Sequence, residues 1–135
     1  MSTSMTRLKR LCSLDGVSGR EEAVREYILD QLAASPAEMK ITVDPLGSVI
    51  AQVAGRRRAA RTVMFAAHMD EVGLIVTGIT GEGYLRFAPV GGLDPAVVYG
   101  RRVTVNGRPG VIAGRAFHQC SEEERGKAVP LDKLL

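Results

Sequence analysis

Five apolar residues, Val63-Met64-Phe65-Ala66-Ala67, run without a break into the polar His68-Met69-Asp70-Glu71, and this stretch sets the terms for the rest of the chain. A short continuous apolar run fits a strand buried on both faces. The small Ala66 and Ala67 suit close approach of packed helices. Ligands in open α/β sheets sit at the carboxyl ends of strands, which is where His68 and Asp70 fall. Two readings of this His-x-Asp pair stand side by side. Imidazole is the commonest metal ligand near neutral pH because it keeps a free lone pair, and a metal-bound histidine hands its other ring proton to a second group. Equally, His68 could cap a strand end and Asp70 could be a solvated turn residue.

The residues before this run alternate between helical and strand patterns. Met5, Leu8, Leu11 and Leu14 lie on one stripe and predict a helix over about 6–14, broken by Asp15-Gly16. Ser18-Gly19-Arg20-Glu21 reads as a capping box, with the Ser18 hydroxyl on the Glu21 amide and the Glu21 carboxylate reaching back to the Ser18 amide. The helix it opens is predicted to run to about Ala33 and to bury Ala23, Val24, Tyr27, Ile28 and Leu32. Met39, Ile41 and Val43 alternate as in a strand, Asp44-Pro45-Leu46-Gly47 is a turn, and Val49 to Val53 returns.

Beyond Glu71 the texture becomes all-β. Strands are predicted over 72–79, 84–90, 98–105 and 110–117. The turns between them fall at Gly81-Glu82-Gly83, Gly91-Gly92-Leu93-Asp94-Pro95 and Asn106-Gly107, the last a strong hairpin signal because both residues tolerate positive φ. Ser121-Glu122-Glu123-Glu124 predicts a short helix over 122–127. The expected division is therefore 1–71, a portion of an α/β domain, and 72–135, an incomplete small β-barrel.

Composition narrows the function. Apolar residues are 45% and charged residues 24% of the 135, which is globular and not disordered. No apolar run approaches the roughly 20 residues that span a bilayer, and no secretory signal follows Met1, so the expectation is no membrane partner. Cys12 and Cys120 have no metal or disulfide spacing and read as reduced thiols of a cytoplasmic protein. The net charge of +3 gathers at Arg56, Arg57, Arg58 and Arg61; aromatics are only 4%, too few to support a nucleic-acid surface, so that cluster reads as a solvated loop.

Taken in order, Leu14-Asp15-Gly16-Val17-Ser18-Gly19, Asp44-Pro45-Leu46-Gly47, Ala67-His68-Met69-Asp70-Glu71-Val72-Gly73 and Gly91-Gly92-Leu93-Asp94-Pro95 resemble the glutamyl/tetrahedral aminopeptidases, dinuclear-metal peptidases also labelled endoglucanase M. The resemblance implies an aminopeptidase-type α/β sheet domain with an inserted β-barrel for homo-oligomer assembly, a peptide substrate, and two divalent ions, zinc or cobalt, that activate water. It implies that His68 is a metal ligand and that Asp70 orients it and counts with the catalytic set. Members are two to three times longer, and the remaining ligands lie outside these residues. A catalytic zinc needs about three protein ligands, so the isolated chain is expected to be inactive. Glu71 and Asp94 are possible recruits, and His118 is expected to have a packing or loop role. One face or edge of the central strand is expected to lack cover, which invites pairing with another chain. The competing expectation is a non-catalytic relative that serves as an oligomerisation or peptide-binding module.

Overall fold

The computed structural model describes residues 3–55, 61–123, 125–127 and 129–135. Arg56, Arg57 and Arg58 of the basic cluster lie outside them. The chain divides into two units, Met1–Glu71 and Val72–Leu135. Among the described residues no helix is long and apolar enough to cross a membrane, and both cysteines are free thiols.

The first unit opens with α1 (Thr3–Leu11), which starts three residues earlier than the apolar spacing predicts. Leu14 belongs instead to a tight turn, its amide bonded to the Leu11 carbonyl at 3.3 Å. In α2 (Glu22–Ala33) Val24 is buried and Tyr27, Ile28 and Leu32 are half-buried, whereas Ala23 is exposed. The two helices share a side-chain bond from Arg7 Nε to Gln31 Oε1, 3.0 Å. β1 (Met39–Val43) and β2 (Val49–Val53) pair antiparallel, from Met39 opposite Val53 to Val43 opposite Val49.

The turn between them is built by one carboxylate. Asp44 Oδ1 accepts from the amides of Leu46 (2.9 Å) and Ser48 (2.8 Å), and Gly47 takes a φ of 93° that L side chains rarely adopt. Hydrogen bonds from Ser48 above all, with lesser ones from Leu46 and Gly47, hold the Asp44 carboxyl below its ordinary value of 3.8. A depressed carboxyl supports the fold fully above its unfolded value and loses that support as pH falls through the lower folded value. The amide proton shifts of Leu46 and Ser48 should therefore move together on acidification, with a midpoint under 3.8. A midpoint at or above that value would contradict this account of the turn.

Residues 61–70 overturn the first expectation. They form no strand, and Val63, Met64 and Phe65 are 75%, 84% and 95% exposed. A strand buried on both faces is made by its ladder neighbours. Among the described residues none pairs with this run. Its apolar composition specifies a surface to be covered but does not supply the cover. Among the described residues the sheets are three antiparallel pairs, and the parallel element of the first unit is a single bridge from Val17 to Glu71.

The second unit contains two hairpins. β3 (Gly73–Ile79) pairs with β4 (Leu85–Val90), with a bulge between Val76 and Gly78. β5 (Arg102–Val105) pairs with β6 (Arg108–Val111) across Asn106 (φ 48°) and Gly107 (φ 76°). That two-residue loop puts Val105 opposite Arg108, so the return strand ends at Val111 and does not run over 110–117. The predicted strand over 98–105 is shortened by a helical turn, α3 (Pro95–Val98). Asp94 caps it by accepting the Ala96 amide at 2.9 Å, with Pro95 at its first position. Where a helix over 122–127 is predicted, the described residues form turns, with one helical-type bond from the Arg125 amide to the Ser121 carbonyl (3.1 Å); Glu124 lies outside them. Barrel closure does not occur among the described residues.

The core of this unit is Val98, Ile112 and Leu134, flanked by Leu74, Phe87, Leu93, Val103, Val129 and Leu131. The last residues are part of it. Leu135 and Ala113 exchange both backbone bonds, at 2.8 and 2.7 Å, and this pins Leu134 inward at 2% exposure.

Candidate functional site

His68 and Asp70 lie at the end of the irregular 61–70 segment, within the first unit. The His68 ring is on the surface, its side chain 85% exposed. Its Nδ1 lies 2.9 Å from the Asp70 carbonyl oxygen and 3.2 Å from Asp70 Oδ1. Carbonyl and carboxylate oxygens only accept, so Nδ1 carries the proton and donates. The lone pair of the neutral ring is then on Nε2, turned away from Asp70. That is the arrangement in which a carboxylate fixes the tautomer of a ligating imidazole.

Asp70 has a second partner. Ser18 Oγ donates to Asp70 Oδ2 at 2.6 Å. This hydroxyl is the largest influence on the Asp70 carboxyl and holds it below the ordinary value of 3.8; partial burial acts the other way, and His68 adds to the lowering. Neither bond of the expected capping box is made. Glu21 Oε1 does accept a backbone amide, but that of Gly19 (2.7 Å), and α2 has no side-chain cap bond. A serine cap contributes about 1 kcal/mol. A charge-assisted bond to a carboxylate is stronger; here the hydroxyl donates to Asp70, and its oxygen accepts no amide of the helix start.

The loop that carries Ser18 is tied to the same segment. The Glu71 amide donates to the Gly16 carbonyl (2.8 Å), and the Gly16 amide donates to Glu71 Oε1 (3.3 Å). Gly16 has no room for a side chain, because a Cβ would stand 2.8 Å from Val24 Cγ2. Glu71 and Asp94 therefore serve backbone amides, Glu71 at this loop and Asp94 at α3. His118 is exposed and sits in a 3-10 turn, Phe117–Gln119. Among the described residues no three His, Cys, Asp or Glu side chains gather to hold a metal ion. The residues fit one ligand with its orienting acid, and not a complete catalytic set. Ser18 is the site residue that the sequence reading assigned to the wrong task. The signal was Asp70 itself, whose second carboxylate oxygen has no donor close by in the sequence.

The family described as M42 glutamyl aminopeptidase matches residues 47–135. An aminopeptidase of Acetivibrio thermocellus, named as putative, is 42% identical over 116 residues, covering 86% of this chain and 33% of that protein. The lysyl aminopeptidase of Pyrococcus furiosus is 40% identical over 134 residues, covering 95% of this chain and 37% of that protein. Among solved structures, the Pyrococcus horikoshii TET1 peptidase, which assembles into a tetrahedron or a large octahedral shell, superposes with a TM-score of 0.77 at 36% identity, covering 98% of this chain and 39% of that one. The chain spans about a third of the length of the curated relatives it matches. With well over half of its residues matched, this chain belongs to the M42 glutamyl aminopeptidase family.

Proposed function

We propose that this chain is the N-terminal portion of a metal-dependent aminopeptidase, which removes N-terminal residues from peptides, and that the 135 residues alone are inactive. One observation carries the reading: His68 is held at Nδ1 by Asp70 and leaves Nε2 open to solvent. Family membership and the named aminopeptidase relatives support the reaction class.

In the complete site two divalent ions, zinc or cobalt, would supply an activated water. His68 would give one nitrogen ligand through Nε2. Asp70 would keep the ring proton at Nδ1 and the ring in place. Histidine with carboxylates suits several divalent ions, so the ligand chemistry leaves zinc and cobalt both open. The remaining ligands would come from outside these residues. The reduced thiols suit a cytoplasmic setting.

The β-rich unit, 72–135, is the part of an inserted barrel domain through which copies of the protein would assemble. Exposed Ile75, Val76, Ile79 and Tyr84 on one hairpin support that role, as does the shell assembly of the Pyrococcus horikoshii relative. The same exposed residues favour the second reading, a non-catalytic assembly or peptide-binding module.

The isolated chain, incubated with aminoacyl p-nitroanilides and zinc or cobalt, should release nothing above buffer. Turnover that the metals stimulate would refute the claim of inactivity.

A further inference from the structure

We infer that Ser18 is a positioning residue for the metal-ligand histidine: its bond to Asp70 locks the carboxylate that in turn selects the tautomer and orientation of the His68 ring. The inference rests on the reading of His68 as a ligand given above. It adds a residue 52 positions away in sequence, on a different element.

The ring needs such a device. His68 stands on a segment with no strand ladder, and with 85% of its side chain exposed, packing does little to fix the ring. Its orientation comes from the two Nδ1 contacts to Asp70. A carboxylate held on one side only rotates about its own bond, and the ring would then keep only its contact to the Asp70 carbonyl. Here Oδ1 faces the ring while Oδ2 takes the Ser18 proton at 2.6 Å, so the two oxygens are held by two different parts of the chain.

The far part is itself anchored. The Val17–Glu71 bridge, the paired bonds between Gly16 and Glu71, and the close packing of Gly16 on Val24 fix the loop against both the 69–71 segment and α2. The bond geometry also fixes direction. The carboxylate cannot donate, so the single hydroxyl proton of Ser18 points at Asp70.

The test reads the ring in the metal-free chain. The sequence has two histidines, so a His118→Gln background leaves one, and long-range proton–nitrogen correlations give the tautomer of the neutral ring. The expected result is a pure Nδ1–H ring with Ser18 present, a mixed population in Ser18→Ala, and the pure form again in Ser18→Thr. Ser18→Cys keeps the size with a weak donor and is read in the same way should the alanine variant fail to fold. Zinc titrated into the same samples should bind about 10-fold more weakly to the alanine or cysteine variant, the lower end of what outer partners of a ligand contribute.

An Nε2–H ring in the unsubstituted chain overturns the inference. So does a folded Ser18→Ala chain with an unchanged tautomer and unchanged zinc affinity. A His68 ring that ignores zinc in every variant, but changes tautomer with Ser18, defeats the metal reading and leaves the positioning role standing.

Discussion

Leu134→Ala should cost the second unit about 2–5 kcal/mol, the range for emptying a well-packed leucine site. Leu134 is 2% exposed and, among the described residues, belongs to a core of three buried residues, with Val98 and Ile112. Its site cannot relax easily. Gly114 approaches so closely that a Cβ there would stand 2.9 Å from Leu134 Cδ2 and 2.8 Å from the Tyr99 ring. The backbone on either side is clamped by the Ala113–Leu135 pair. Whole domains are stable by about 5–15 kcal/mol, and a small core sits at the low end of that range. Loss of this one side chain therefore removes most of the stability of the unit. Hydrogen exchange is the measurement: the amides of Gly100 and Ile112 should lose protection by a factor of about 30 or more, while those of β1 and β2 keep theirs. Leu134→Met, which conserves volume, should cost less than about 1.5 kcal/mol. An alanine variant within 1 kcal/mol of the parent would mean that the C-terminal residues are not part of the core.

The features legible in the sequence are those settled by residues close together. The Asp44 turn was readable because a single carboxylate can serve two amides within four residues, and Gly47 can take the positive φ. Asn106-Gly107 was readable for the same reason. The body of α2 followed from its apolar spacing, although Ala23 proved exposed. Short-range chemistry was also present and misread at Asp94-Pro95: an acid before a proline is a helix-start signal, but the pair was read as the end of a loop with a strand from Val98.

What failed was what depends on distant partners. Val63 to Ala67 has the texture of a buried strand, but burial is a property of neighbours that the run cannot provide for itself. Ser18 failed in a subtler way. Its hydroxyl can accept from a nearby amide or donate to a distant carboxylate, and a local pattern can name only the near partner. The acceptor it takes, Asp70, is brought within reach by the Val17–Glu71 bridge. The family resemblance pairs His68 with Asp70, and the two side chains are in contact, yet it gave no account of what holds Asp70.

His68→Ala should be the most damaging substitution for catalysis. The way to see it is to supply the rest of the site. A chimera joins residues 1–135 of this chain to the remaining length of the Pyrococcus furiosus lysyl aminopeptidase, of which this chain matches 37% at 40% identity. On the proposed function that chimera hydrolyses aminoacyl substrates with zinc or cobalt present. Residues that only orient a ligand typically cost 10–100-fold when replaced. Removing the ligating imidazole must cost more, so kcat/KM should fall by at least about 100-fold, or about 2.7 kcal/mol of transition-state stabilisation. Asp70→Asn leaves the ring in place but trades an acceptor-only carboxylate for an amide that can also donate, and it should fall within the 10–100-fold band. The order of the two effects is the informative part. If His68 binds the metal and Asp70 binds His68, the histidine variant must lose both metal and activity, while the asparagine variant keeps metal at reduced affinity. A His68→Ala chimera with more than a tenth of the parent activity would place the ligand elsewhere. An Asp70→Asn loss larger than that of His68→Ala would make the carboxylate the primary ligand and reverse the roles assigned to the pair.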